Sequence, residues 1–355
     1  MKIALPYAPR GGMGGGNRVL SMFEQWLDAD GIVWTRDVAE ADVALLNSWS
    51  SPLVTAAMAH ARGIPIVHRL DNAAQFYGRT DGVDDRLKRI NAMAARSIFQ
   101  SQAVKEAVYP GLATTDGPVI HNPVDPTIFT PEGPPLDLPK SGVTLAAEGY
   151  DKRVSCVSWS DNALKGGVEI IALAYQNPSV LFVRAGRWPH VVRSPQRSDG
   201  AGQVFALTDK PQPLPVNVVD MGILDAAGIA ALHRSVDALL TMSQSEACPN
   251  HVLEAMACGK PVIYRQDSNE ASATKELVGL CGLPSYLMSV YKQSLAEVIQ
   301  SLQDEKAGDT ARQRVLDRYT PDRIFPQYLD TLRQALAESQ RGLFSRLWQS
   351  VRSFV

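Results

Sequence analysis

The sequence predicts an α/β protein built from two doubly wound, Rossmann-like domains that face a central cleft, and three observations carry that expectation. Short apolar runs alternate with helix-period segments from end to end, as in parallel sheets assembled from βαβ units. The alternation stops once, in a proline-rich stretch, and then restarts. The chain, at 355 residues, is long enough for two separate cores.

Strands of the first domain are expected at Lys2–Pro6, Ile32–Thr35, Asp42–Asn47, Pro65–His68, Ser97–Gln100 and Pro118–His121. Between the first two, Val19, Leu20, Phe23, Trp26 and Leu27 fall on one helical face. The break runs from Pro123 to Gly149, with Pro126, Pro131, Pro134, Pro135 and Pro139 following the first proline, and reads as an interdomain linker. Strands of the second domain are expected at Val154–Trp159, Val180–Arg184, Val216–Val219, Val236–Met242 and Pro261–Tyr264. The domains are therefore placed at 1–122 and 150–320, joined by 123–149. A C-terminal helix over 321–338 and a basic amphipathic tail over 339–355 complete the chain. Open α/β sheets bind ligands beyond the carboxyl ends of their strands, so a site is expected there.

Composition narrows the function classes. A formal net charge of −2 gives no support for a nucleic-acid partner. Cys156, Cys248, Cys258 and Cys281 lie too far apart for a paired-cysteine motif and read as reduced thiols, without a metal site. The opening MKIALPYAPRGG is a strand broken by prolines rather than a secretory signal, and no apolar run reaches membrane-spanning length. The expected location is the cytoplasm, with peripheral contact at the inner face of the membrane through the tail. There Leu343, Phe344, Leu347, Trp348, Val351 and Val355 share a helical face flanked by Arg341, Arg346 and Arg352.

The most informative stretch is Ser245–Ile263, SEACPNHVLEAMACGKPVI. It follows the apolar run VDALLTM; Pro249 suits a helix start and Gly259 a helix stop. Glu246 is then placed in the loop at a strand's C-terminal end and Glu254 in the second turn of the helix. The N–H groups around Asn250, His251 and Val252 point to the same place, which suits a diphosphate. Lys165, ahead of Gly166 and Gly167, is a second group fit to hold phosphate oxygens.

These features resemble the retaining glycosyltransferases of the GT-B fold, family four (glycosyl transferases group 1), whose mark is two glutamates separated by seven residues. The resemblance extends to HNPVDPTIFTP at His121–Pro131, SWSDNALKGG at Ser158–Gly167, VVDMGILDAAGIAALHRSVDALLTMS at Val218–Ser243 and ARSIFQSQAVKEAVY at Ala95–Tyr109. It implies that Glu246 hydrogen-bonds the donor sugar and Glu254 the nucleotide ribose, with Lys165 on the phosphates. An arginine is usual five residues before that lysine; Ser160 stands there, and Arg187 is a candidate substitute. The glycine-rich loop GGMGGGNR would place Gly14, Gly15 and Gly16 over the donor phosphates and acceptor. Asp71, in HRLDN, aligns with a functional strand-end position, whereas His68 is expected to pack within its strand. Arg69 and Arg79 are candidates for an anionic acceptor.

The resemblance thus implies a nucleotide diphosphate sugar, UDP- or GDP-linked, as donor and a saccharide or glycolipid as acceptor, with retention of configuration. No Asp-x-Asp sequence lies in a plausible loop, and no metal or other cofactor is expected. A non-catalytic GT-B subunit, a nucleotide-sugar epimerase and a dehydrogenase remain alternatives. Product analysis and nucleotide binding separate them.

Overall fold

The structure is a computed structural model and describes residues 1–7, 15–78, 81–109, 111–138, 149–194, 204–265, 272–285 and 293–352, with backbone only for 342–352. The chain divides into two compact units. One comprises 1–123 with 321–355, the other 124–320.

The first unit contains β1 (Ile3–Ala4), α1 (Gly15–Ala29), β2 (Trp34–Thr35), β3 (Val43–Asn47), α2 (Leu53–Ala61), β4 (Ile66–Leu70), α3 (Val83–Asn91), β5 (Arg96–Phe99) and α4 (Gln102–Val108). Its five strands form a parallel sheet in the order β2-β1-β3-β4-β5. The two-residue period of a strand divides the core between the faces of the sheet. Ile3, Val43, Leu45, Val67 and Ile98 meet Leu20, Phe23 and Leu27 of α1 on one face. Ala4, Ala44, Leu46 and Ile66 meet Ala56 and Ala59 of α2 on the other.

The C-terminal helix, Pro321–Arg352, belongs to this unit. Ile324, Phe325, Tyr328, Leu329 and Leu332 join the α1 face of the core, at the spacing of a helical stripe. Arg96 adds a two-nitrogen ion pair to Glu338. The helix thus continues well past 338 and takes in most of the segment read as a separate tail. Among the described residues no helix is long and apolar enough to cross a membrane.

The second unit contains β6 (Lys152–Ser158), α5 (Gly167–Gln176), β7 (Val180–Gly186), β8 (His190–Ser194), β9 (Val204–Thr208), β10 (Val218–Asp220), α6 (Ala226–Arg234), β11 (Ala238–Thr241), α7 (Asn250–Ala257), β12 (Val262–Tyr264), α8 (Thr274–Val278), β13 (Gly282–Pro284), α9 (Leu295–Asp304) and α10 (Ala307–Arg318). Six strands form a parallel sheet, β10-β7-β6-β11-β12-β13, while β8 and β9 make an antiparallel hairpin of their own. Leu181, Val183 and Leu239 face α6 and α7. Val154, Phe182 and Leu240 face α5 and α9.

Three expectations change. Pro118–His121 is not a strand: Val119 makes a single bridge to Phe99, because the segment pairs with β5 on one side only. The hairpin and β13 were not expected, although HVVRS and VFALT carry apolar residues suited to strands. The proline-rich segment is also no free linker over 124–138. Val124 and Phe129 are buried in the second unit's core, and Leu136 and Leu138 pack against it. Arg234 fastens the segment by donating to Pro134 O (2.9 Å) and Thr130 O (3.3 Å). Residues 139–148 lie outside the described residues.

His68 is fully buried in β4, as expected of a packed strand histidine. Its Nε2 lies 3.1 Å from Ser48 O and its Nδ1 3.2 Å from Asn91 Nδ2, so Nε2–H donates and Nδ1 accepts in a neutral ring. Desolvation lowers its pKa to about 4. The unfolded state therefore binds more protons than the folded one between about pH 6.5 and 4. His68's contribution to stability is complete above that window and is lost as pH falls through it, an effect on the order of 3 kcal/mol. An NMR titration should show a His68 ring that stays neutral well below pH 6; a ring titrating at the ordinary histidine value would contradict the buried arrangement.

Candidate functional site

In the second unit, two loops at the carboxyl ends of adjacent strands are fastened together. After β6 the chain makes a short 3-10 turn over Ala163–Lys165, capped by the Asn162 side chain on Leu164 N–H (2.9 Å). After β11 the chain returns over this turn, with Gln244 N–H donating to Leu164 O at 2.8 Å. Gly166 sits between them at φ 77°, and a Cβ there would lie 2.3 Å from Met242 O. Only glycine satisfies both the left-handed backbone and that approach.

This junction brings Lys165 and Glu246 into contact, Nζ to Oε1 at 2.8 Å, with their side chains only 18% and 12% exposed. Burial by itself would raise the Glu246 pKa. Attraction to Lys165, together with the hydrogen bond from Ser243, outweighs it and holds the carboxyl below its ordinary value. Glu246 is therefore an ionised acceptor at neutral pH. Its backbone is fixed as well, since Glu246 O accepts from Ala273 N–H at 2.8 Å.

α7 begins at Asn250, directly after Pro249, and presents its N-terminal turn beside this pair. His251 Nε2 lies 3.1 Å from Thr241 Oγ1, and desolvation lowers the ring's pKa to about 4 despite the neighbouring Glu246 charge. The ring is thus neutral and offers a hydrogen-bonding edge rather than a cation. Val252 differs from the expectation of a helix-start donor. Its N–H donates to Pro249 O at 3.1 Å, as 3-10 geometry at a helix start allows, and its side chain is buried in the core. Glu254 is buried in the second turn, at 4% exposure.

Ser160 has no cationic role in the structure and shapes the loop after β6. Its Oγ accepts from Asn162 N–H (3.2 Å) and its carbonyl from Ser158 Oγ (2.8 Å). Arg187, on the loop after the neighbouring β7, lies over the Trp159 ring at 5.4 Å, next to Ser160 in sequence. Gly186 permits this: φ is 100° and a Cβ would lie 1.7 Å from Ser158 O. Trp159, Ser243 and Thr241 touch Arg187, Glu246 and His251 respectively, and the sequence reading missed them as candidates. An aromatic beside a vacated cation position and hydroxyls at a strand end were the available signals.

In the first unit, Gly14 and Arg79 lie outside the described residues. Gly15 is the first residue of α1, and Gly16 approaches β3, where a Cβ would come 3.4 Å from Asn47 Nδ2. Asp71 follows β4, and its N–H donates to Ser48 Oγ at 3.4 Å. Ser48 has φ 42°, a left-handed conformation uncommon outside glycine. Arg69 is fully buried, donating to Tyr328 Oη (2.8 Å), Asn47 Oδ1 (2.7 Å) and Asn122 Oδ1 (2.6 Å). It is a structural clamp rather than a surface group for an anionic acceptor.

Residues 214–315 match the family profile described as Glycosyl transferases group 1, which covers α6, β11 and α7 with Glu246 and Glu254. No curated protein matches the chain significantly. Among solved structures, the chain is similar to HepE of Anabaena in complex with UDP and glucose, at 18% identity and a TM-score of 0.64, over 93% of this chain and 98% of that one. It is also similar to sucrose-phosphate synthase of Thermosynechococcus elongatus, at 18% identity and 0.61, over 91% and 78%. A glycosyltransferase of Rickettsia africae matches at 12% identity and 0.56, over 94% and 98%. The chain has the GT-B fold, and part of its second unit matches the group 1 glycosyltransferase profile.

Proposed function

We propose that the chain transfers a hexose-type sugar from a nucleotide diphosphate sugar to a hydroxyl of a glycan or glycolipid, with retention of configuration and without a metal ion. The observation that carries this reading is the Lys165–Glu246 pair beside the start of α7, which sets a cation, a carboxylate and a helix N-terminus at one strand end. The similarity to HepE bound to UDP and glucose supports a nucleotide-sugar donor.

Each group has a distinct task. Lys165, Arg187 and the first turn of α7 supply positive charge to the leaving diphosphate, the role a divalent ion would otherwise fill. Glu246 accepts hydrogen bonds from donor hydroxyls, and Glu254 is assigned to the ribose. Asp71, Gly14, Gly15 and Gly16 keep the donor and acceptor roles that the sequence resemblance implies. The acceptor oxygen bonds to the anomeric carbon as the bond to the diphosphate breaks, and a departing phosphate oxygen takes the acceptor's proton. No strong protein base is needed.

The test is thermal unfolding of the purified protein with UDP, GDP, ADP, CMP and NADH, without added metal. A ligand that binds only the native state raises the midpoint with occupancy. One nucleoside diphosphate should give a clear rise; a rise only with NADH, or with none, would reject this reading. A second reading, a non-catalytic subunit, is favoured by Ser160 standing where the resemblance expects arginine. Nucleotide binding without turnover over an acceptor panel would select it.

The tail is assigned a peripheral role on anionic lipid, supported by the arginines and apolar face of 340–355. Vesicles containing phosphatidylglycerol should sediment the full chain but not a chain ending at 339. Equal behaviour of the two would remove this assignment.

A further inference from the structure

A cavity of about 220 Å³ lies in the second unit, and neither Lys165 nor Glu246 lines it. It is walled by Ile171 and Tyr175 of α5, by the first residues of β8 and by Gln212, Pro213 and Leu214 ahead of β10. None of the residues assigned to the donor lines it. Four of the liners carry side-chain hydrogen-bond donors: Arg184, His190, Gln212 and, through its hydroxyl, Tyr175.

Arg184 is the unusual member. It is 6% exposed, on the α5 face of β7. One terminal nitrogen pairs with Asp220, and the Trp188 ring lies 5.4 Å from the guanidinium carbon. Its Nε is buried and has no hydrogen-bond partner. Buried N–H donors of a guanidinium are rarely left without an acceptor, because the donor has given up water for nothing. A guanidinium edge with a vacant donor suits a planar or tetrahedral oxyanion, whose oxygens accept charge-assisted bonds. His190 is exposed and Gln212 half-buried, so both can reach an occupant without rearranging the core.

The size of the cavity favours a ligand smaller than a nucleotide sugar. Cavities that take drug-sized ligands span roughly 300–1,000 Å³, and this one is smaller. We infer that the Arg184 cavity is a second ligand site, for a small metabolite carrying a phosphate or carboxylate group. The apolar walls formed by Ile171, Tyr175 and Pro213 accommodate its carbon skeleton, and the oxyanion faces Arg184.

Isothermal titration of the full chain with β-glycerophosphate and with malonate tests this. At least one should bind saturably, one per chain, with affinity unchanged by Lys165→Ala. Arg184→Gln and the double variant His190→Ala/Gln212→Ala should each weaken it about tenfold or more, the worth of one charge-assisted bond. The double variant covers the case in which Arg184→Gln fails to fold. Binding of the phosphate ester alone assigns the site to phosphorylated metabolites, and binding of malonate alone to carboxylates. Affinity that falls with Lys165→Ala but not with the cavity variants would place the anion in the donor site and overturn the inference. Absence of saturable binding by both probes would overturn it too.

Discussion

Glu246→Gln should reduce sugar transfer by about 10²–10³-fold, the usual loss when one preorganised electrostatic contact is removed from a transfer site. The substitution keeps the shape and removes the charge that Lys165 faces at 2.8 Å. Lys165→Ala should cost a similar factor, because the leaving diphosphate then lacks one of the two cations assigned to it. The two groups act on one donor, so the double variant should lose little more than either single variant. Full additivity would show that they serve separate steps. Stability should fall by about 1–3 kcal/mol in either single variant, between the limits for exposed and fully buried pairs. Circular dichroism and a midpoint shift separate this loss from the loss of turnover. Because Lys165 holds the Glu246 pKa below its ordinary value, the pair's stabilisation is complete above the usual carboxylate range. It is lost as pH falls through the lowered pKa. Near-normal kcat in a folded Glu246→Gln protein would remove the residue from the site.

Arg69→Met should destabilise the first unit by about 2–4 kcal/mol. Three buried acceptors, Tyr328 Oη, Asn47 Oδ1 and Asn122 Oδ1, each lose one donor together. An unsatisfied buried polar group costs roughly 1–3 kcal/mol, and removal of a buried charge offsets part of that sum. Arg69→Lys should recover little, since one ammonium cannot reproduce a fork aimed at three directions. The loss should be visible as faster hydrogen exchange across Ile324–Leu332, because Tyr328 ties the C-terminal helix to the strands. Unchanged exchange there in the Arg69→Met protein would mean that apolar packing of Phe325, Tyr328 and Leu332, with the Arg96–Glu338 pair, holds the helix without Arg69.

The residues that make strands and helices were largely legible in order along the chain. Val43–Asn47 and Ala238–Thr241 are largely apolar runs buried on both faces, a pattern that local sequence states directly, whereas Ile66–Leu70 buries His68 and Arg69 among its apolar residues. The helix from Asn250 and its stop at Gly259, φ 71°, follow from Pro249 and Gly259 in the same local way. Chemistry at the strand ends was legible too, because Lys165 and Glu246 each stand after such a run.

Partnership was not legible. Lys165 and Glu246 are 81 residues apart, and their contact depends on Gly166 passing within van der Waals range of Met242, a backbone approach that no local pattern encodes. Arg69 and Tyr328 are 259 residues apart, so an arginine that reads as a candidate anion binder becomes a buried clamp once the C-terminal helix returns to the first sheet. The segment 124–138 reads as linker by its prolines but is captured by Phe129 and Arg234. Periodicity and capping report a residue's own turn or strand, and the sequence by itself determined those elements and the strand-end position of the glutamates. Which side chains share a charge, and which arginine meets ligand or core, is set by burial between distant segments, and only the tertiary structure decided it.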